Sequence, residues 1–244
     1  MPQFGLIGFP LSHSFSQKFF TEKFENLNLR DHHYELFPIE EIIQFNALFA
    51  EHRDLKGLNV TIPYKVSVIP FLDELDETAK KIGAVNTILK TSGKLVGYNT
   101  DAYGFEMSLK PLLQPNHYKA LILGNGGASK AVQYVLEKLG IEYLIVSRKP
   151  SSGELSYDEL NENVLKTFFL IINTTPLGMY PNIDQCPQLP YEYLTPEHFL
   201  YDLVYNPLKT MFLQQGEKKD CIIQNGLTML KMQAEKAWTI WNGK

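Results

Sequence analysis

Short runs of β-branched and aromatic residues alternate along this chain with longer stretches whose apolar positions recur every three or four residues. That alternation predicts strands joined by crossover helices, and so an α/β fold built on mostly parallel sheets. Residues 4–9 read as a first strand, closed by Gly8-Phe9-Pro10. Residues 14–27 read as a helix, with Phe15, Phe19, Phe20 and Phe24 on helical spacing. A second strand (34–39), a second helix (40–52) and a third strand (57–62) follow. Pro63 ends that strand, because proline cannot donate to the ladder. A helix over 73–82 precedes two strands, 87–89 and 95–98, which Ser92-Gly93 joins as a tight hairpin.

Near Asp101 the pattern starts afresh. A helix over 102–113 leads into a βαβ unit with strand 119–124, helix 127–139 and strand 143–147. Strands at 168–173, 199–204 and 221–223, a short helix near Thr210 and an amphipathic helix over 226–241 complete the chain. The expected architecture is an N-terminal mixed, mostly parallel α/β substrate domain, residues 1–101 with about 226–244 packing back on it. A Rossmann-like dinucleotide domain, residues 102–225, follows. A helical connector between them predicts that ligands bind between the domains.

Composition narrows the function. A net charge of −4, without any run of five or six like charges, argues against nucleic acid and anionic membranes as partners. The longest apolar run, 168–172, is far short of the ~20 residues of a membrane span. The first residues lack the basic region and long apolar core of a secretory signal. Cys186 and Cys221 stand far apart without metal or redox spacing, which suits reduced thiols. A cytoplasmic enzyme with a small-molecule substrate, monomeric or homodimeric, is expected.

Two groups of residues carry chemistry. Gly124-Asn125-Gly126-Gly127-Ala128 follows an apolar strand and opens a helix. That is the setting in which a glycine turn and a helix N-terminus hold a pyrophosphate. Ser129 takes the third glycine position, so the match is to a variant of the fingerprint. The next strand ends in Ser147-Arg148-Lys149, two cations and no carboxylate, which favours the 2′-phosphate of NADP over the ribose hydroxyl of NAD.

The second group is polar. Four clusters interrupt the first domain: Ser12-His13-Ser14-Phe15-Ser16, the run 59–65 (Asn-Val-Thr-Ile-Pro-Tyr-Lys), Gly83-Ala84-Val85-Asn86-Thr87 and Tyr98-Asn99-Thr100-Asp101. Asn59 and Thr61 share a strand face by the period of two, and Lys65 follows in the next turn. Serines, amides, a lysine and an aspartate at strand ends suit a substrate with several hydroxyls and a carboxylate.

These segments resemble the shikimate dehydrogenase family, in order and along nearly the whole chain. The family's H-S-x-S, N-V-T-x-P-[FY]-K, G-A-V-N-T and N-T-D patterns are met at 13–16, 59–65, 83–87 and 99–101. Later signatures are met at 173–179, 202–207 and 226–234. The resemblance implies NADPH-dependent reduction of 3-dehydroshikimate to shikimate, in the biosynthesis of chorismate and the aromatic amino acids. It implies Lys65 and Asp101 as the catalytic pair, and Ser14 and Ser16 at the substrate carboxylate with Tyr205 nearby. It implies Asn59, Thr61, Asn86, Asp101 and Gln233 at the ring hydroxyls. For the cofactor it implies Gly124, Gly126, Gly127 and Ala128 at the pyrophosphate, Arg148 and Lys149 at the 2′-phosphate, and Thr174, Met179, Gly226 and Met229 around the ribose and nicotinamide.

The chain departs from the family in two places. Gln17 and Phe20 replace a proline and a histidine, which predicts altered packing of the first helix. After Arg148, the run 149–153 is too short for the crossover helix that follows an N-R-T segment in the family, so a trimmed adenosine side with relaxed NADP preference is expected. The nearest alternative is a relative that accepts quinate. Ser16 argues mildly against it, since quinate-active relatives often carry threonine there. A binding protein without turnover and a methylene-folate dehydrogenase are the other readings, disfavoured respectively by the retained Lys65 and Asp101 and by the first two polar motifs. The histidines show no metal-ligand spacing, and Trp238 and Trp241 read as packing residues.

Overall fold

The computed structural model describes residues 1–11 and 14–243; Ser12 and His13 of the first polar cluster lie outside the described residues. The chain divides into two compact units, residues 1–100 with 233–244, and residues 101–232.

The first unit opens with strand β1 (Gln3–Gly8), helix α1 (Phe15–Asn26), strand β2 (His33–Pro38), helix α2 (Phe45–Glu51) and strand β3 (Leu55–Val60). A two-residue strand β4 (Glu74–Leu75), helix α3 (Glu77–Ile82) and the hairpin β5 (Thr87–Thr91) and β6 (Lys94–Tyr98) follow. The sheet order is β2-β1-β3-β5-β6-β4. β1 pairs in parallel with β2 and β3, and β4 with β6, whereas β5 is antiparallel to both neighbours. The hairpin forms as expected, with Ser92 and Gly93 both at positive φ.

Alternation along β1 sends its side chains into two cores. Ile7 joins Phe45, Leu55, Leu58, Val68 and Ile88 on one face. Phe4 and Leu6 meet Phe20, Phe24 and Tyr34 on the other, with Ala234, Ala237 and Trp241 from the last helix. Phe20 is fully buried there, stacked on Tyr34, so the residue that departs from the family pattern serves as packing.

The second unit runs through helix α4 (Thr100–Leu109), which starts at the last residue of the first, then strand β7 (Lys119–Leu123), helix α5 (Gly127–Lys138) and strand β8 (Glu142–Val146). Helix α6 (Glu162–Leu165), strands β9 (Leu170–Asn173) and β10 (Phe199–Asp202), helix α7 (Met211–Glu217) and strand β11 (Ile222–Gln224) complete its sheet. The order is β11-β10-β9-β7-β8 with every pairing parallel. The chain reverses direction across the sheet between β7 and β9, the switch point where open α/β sheets bind ligands. Helix α8 (Leu227–Trp241) begins in this unit, and its residues from Gln233 onward belong to the first.

Two expected helices differ in form. The segment 73–82 splits, because Glu74 and Leu75 pair with β6 and Asp76 caps α3 by accepting from the backbone N–H groups of Thr78 and Ala79. Aspartate satisfies free N–H groups at a helix start better than it continues a helix. The segment 40–52 splits likewise into a 3-10 turn at Ile42–Gln44, held by a capping box from Glu41, and α2.

Candidate functional site

The polar residues of the first unit form one buried network. Tyr34 donates from β2 to Asn59 Oδ1 at 2.8 Å. Asn59 Nδ2 donates to Thr87 Oγ1 at 3.2 Å and to the Asn86 carbonyl at 3.3 Å. Asn86 Nδ2 reaches Thr100 Oγ1 at 2.9 Å and Gln233 Oε1 at 3.4 Å, while its Oδ1 accepts from the Thr100 N–H at 2.7 Å. Thr87 and Thr100 are essentially inaccessible, so these amides have a fixed orientation. Burial pushes the Tyr34 hydroxyl far above the usual phenol range, and Ser16 hydrogen-bonds to it. Four segments far apart in sequence thus share one network, and α8 brings Gln233 to Asn86.

The remaining candidates of this unit lie around that network. Ser14 caps α1, its Oγ accepting from the Gln17 N–H at 3.4 Å. Thr61 is half-buried just beyond β3, its N–H donating to the Ile7 carbonyl at 2.9 Å. Lys65 is half-buried in the following turn, and its carbonyl accepts from the Val85 N–H at 2.7 Å, which ties that turn to the residue before Asn86. Asp101 stands in the first turn of α4, directly after the Thr100 held by Asn86.

In the second unit, β7 ends at Leu123 and Gly124 turns the chain at φ +100°, where a side chain would be strained and would collide with Thr174 and Thr175. Thr174 supports this turn, donating from Oγ1 to the Leu123 carbonyl at 2.8 Å. Gly126 and Gly127 face open space, and α5 starts with no side-chain cap and no acidic residue in its first turn. Free N–H groups and the positive end of a helix dipole therefore stand beside a glycine loop, an arrangement that fits a pyrophosphate. Gly226 sits where a Cβ would lie 2.1 Å from the Leu203 carbonyl oxygen, so only glycine allows this approach to β10. Met229 and Tyr205 are half-buried and Met179 is exposed. Burial raises the Tyr205 phenol above its ordinary range.

A third cluster joins the first residues of two later signatures, Asn173 and Asp202, to which the motif reading assigned no role. Asp202, inaccessible at the end of β10, accepts from Asn173 Nδ2 at 2.9 Å, the Val204 N–H at 3.0 Å and Thr210 Oγ1 at 2.5 Å. Burial outweighs these hydrogen bonds and lifts its carboxyl to about 6. A raised folded-state value means that its stability contribution is fully present below the unfolded value and is lost as pH rises through about 6. The expected result is that wild type gains about 1 kcal/mol relative to Asp202→Asn between pH 7 and pH 5. Urea unfolding of both proteins at the two pH values measures it; a constant difference would show that Asp202 does not titrate in this window.

Comparison with known proteins decides the family. Residues 6–88 match the model of the shikimate dehydrogenase substrate binding domain. A shikimate dehydrogenase (NADP(+)) of Carboxydothermus hydrogenoformans is 40% identical over 98% of this chain and 91% of the relative. The chain belongs to the shikimate dehydrogenase family. Among solved members, shikimate 5-dehydrogenase from Thermus thermophilus in complex with NADP(H) and shikimate has a TM-score of 0.87 at 33% identity, covering 100% of this chain and 94% of that one. The Listeria monocytogenes enzyme, in complex with shikimate and NAD, has a TM-score of 0.88 at 29% identity, covering 100% and 92%.

The connection after β8, where the sequence departs from the shikimate dehydrogenase pattern, is short of helix. Between β8 and β9 the chain makes only a 3-10 turn (Tyr157–Glu159) and the single turn of α6. The shortened crossover expected after Arg148 is therefore present. The expectation that no carboxylate stands at the end of the second strand is corrected. Glu154, seven residues after Ser147, folds back and accepts from Ser147 Oγ at 3.1 Å. Chain order hid it, since a Pro-Ser-Ser-Gly turn returns Leu155 to pair beside Val146. Arg148 and Lys149 are exposed and form no ion pair among the described residues.

Histidines 117 and 198 have structural roles. Each accepts a backbone N–H at Nδ1, from Gln114 and Thr195, and points Nε2 at a carbonyl, of Glu197 and Leu165. Burial lowers the pKa of both, in keeping with neutral rings. Among the described residues no group of three or more histidines, cysteines and carboxylates could hold a metal ion. No helix of the described residues is long and apolar enough to cross a membrane.

Proposed function

We propose that this protein catalyses the NADP-dependent interconversion of shikimate and 3-dehydroshikimate, as a cytoplasmic enzyme of aromatic amino-acid biosynthesis. The observation that carries the reading is a joint one. A chain similar to these dehydrogenases over 98% of its length holds a buried amide and hydroxyl network around Asn86 in one unit. It has a strand, glycine loop and uncapped helix in the other.

Lys65 and Asp101 are the catalytic pair in this reading. When bound, a reduced nicotinamide supplies the hydride for the ketone carbon. Negative charge then grows on the ketone oxygen, where the Lys65 ammonium stabilises it and donates the proton that completes the alcohol. Asp101 binds the neighbouring hydroxyl and supports Lys65 in that role. Asn86, held by Thr100 and Gln233, and Asn59, held by Tyr34, present amides whose orientation costs nothing further on binding. With Thr61 and Gln233 they recognise the ring hydroxyls, and Ser14, Ser16 and Tyr205 the carboxylate. In the second unit Gly124, Gly126, Gly127 and Ala128 receive the pyrophosphate, Arg148 and Lys149 the 2′-phosphate, and Thr174, Met179, Gly226 and Met229 the ribose and nicotinamide.

The test is the near-ultraviolet absorbance of reduced nicotinamide with purified protein, shikimate and NADP⁺, run in parallel with quinate. A rise with shikimate that quinate does not match is the expected result. Absence of a rise with either acid from folded protein refutes the dehydrogenase reading, and a larger rate with quinate reassigns the substrate.

A further inference from the structure

Glu154 is the one residue of the second unit whose side chain joins the glycine loop to the end of β8. Its Oε2 accepts from Asn125 Nδ2 at 3.4 Å, Ser147 Oγ at 3.1 Å and the Ser151 N–H at 3.1 Å. Asn125 is the second residue of the glycine loop, and Ser147 is the first residue past β8. All three donors use the same oxygen, so Oε1 takes no hydrogen bond among the described residues. The backbone fixes the residue as well. Glu154 N–H donates to the Ser151 carbonyl at 3.0 Å, Leu155 N–H to Ile145 at 2.8 Å and Ser147 N–H to Leu155 at 2.9 Å.

A carboxylate at the end of the second strand of a dinucleotide-binding βαβ unit is the group that accepts the adenosine ribose hydroxyls of NAD. Here that carboxylate arrives from the loop after the strand, anchored through one oxygen with the other open. A 2′-phosphate carries up to two negative charges and three acceptor oxygens, so at the same place it meets a carboxylate that can only repel it. Arg148 and Lys149, the first exposed cations past Ser147, act in the opposite sense.

We propose that Glu154 sets the cofactor preference of this enzyme, receiving the ribose 2′-hydroxyl of NAD(H) and opposing the 2′-phosphate of NADP(H), so that both dinucleotides are used. The proposal deepens the dehydrogenase reading and rests on it for the turnover measurement, though not for the binding measurement.

Two experiments test it. In the first, kcat/KM is measured with NAD⁺ and NADP⁺ at saturating shikimate, for wild type and Glu154→Gln. Wild type should show values within about tenfold of each other, and Glu154→Gln should move the ratio toward NADP⁺ by about tenfold, the worth of one charge-assisted hydrogen bond. The change should lie in KM, with kcat near wild type. In the second, calorimetric titration with adenosine 2′,5′-bisphosphate and with ADP should show the variant binding the first more tightly and the second more weakly. A wild-type preference for NADP⁺ above about a hundredfold overturns the proposal, and that measurement needs no variant. So does a Glu154→Gln protein of wild-type melting temperature whose ratios move less than threefold in both experiments, which would leave Glu154 a loop anchor. Absence of turnover together with the expected change in nucleotide binding would instead refute the dehydrogenase reading and retain the role of Glu154.

Discussion

Replacing Lys65 by alanine is expected to lower kcat for shikimate oxidation by about 10²–10⁴-fold while KM for shikimate changes much less. The size follows from the role proposed for the ammonium. A group that meets charge developing only as hydride moves contributes transition-state stabilisation more than ground-state binding. Lys65 is half-buried in a turn whose backbone is fixed by the Val85 N–H, a bond that alanine retains. The melting temperature should therefore stay near wild type. Steady-state kinetics on the folded variant decides the matter: a rise in KM with kcat intact would make Lys65 a binding residue and remove it from the catalytic pair. Asp101→Asn should lose activity as well, since the amide cannot support the lysine as a carboxylate does.

Trp241→Ala should have the largest effect on stability, about 3–5 kcal/mol. Trp241 lies near the end of α8, stacks on Phe4 with ring centroids 4.8 Å apart and packs against Phe20 at 5.1 Å. Its Nε1–H donates to the Ile88 carbonyl at 3.0 Å, so truncation removes this buried hydrogen bond besides opening a cavity. Gly57 exists for this ring. A Cβ there would lie 2.2 Å from Trp241 Nε1. Denaturant unfolding measures the loss, and Trp241→Phe, which keeps a ring and removes the donor, should cost about 1 kcal/mol for the hydrogen bond on top of the smaller ring's lost packing. Because Gln233 reaches Asn86 from the same helix, Trp241→Ala should also raise KM for shikimate. An alanine variant as stable as wild type would mean that α8 is held by other contacts.

Much of the fold was legible because local chemistry and global structure agree. The glycine loop after an apolar strand and the Ser92-Gly93 hairpin are local devices, and each forms where its residues stand. Motif order gave the family, and the family gave candidate roles. The helices at 40–52 and 73–82 were misread as continuous because periodicity is blind to a capping residue inside an apolar pattern, and Glu41 and Asp76 are such residues.

The sequence by itself determined the alternation of strands and helices, the parallel βαβ unit and the glycine turn that opens its helix, since these depend on periodicity, turn chemistry and residue type within a few positions. Only the tertiary structure decided that Tyr34, Asn59, Thr87, Asn86, Thr100 and Gln233 form one hydrogen-bonded network. It alone decided that Asp202 is buried with Asn173 and Thr210, and that Glu154 turns back to Ser147. The physical reason is common to all three. A buried polar group must find partners wherever the folded chain brings them, and those partners stand up to 147 residues apart, where no local pattern connects them.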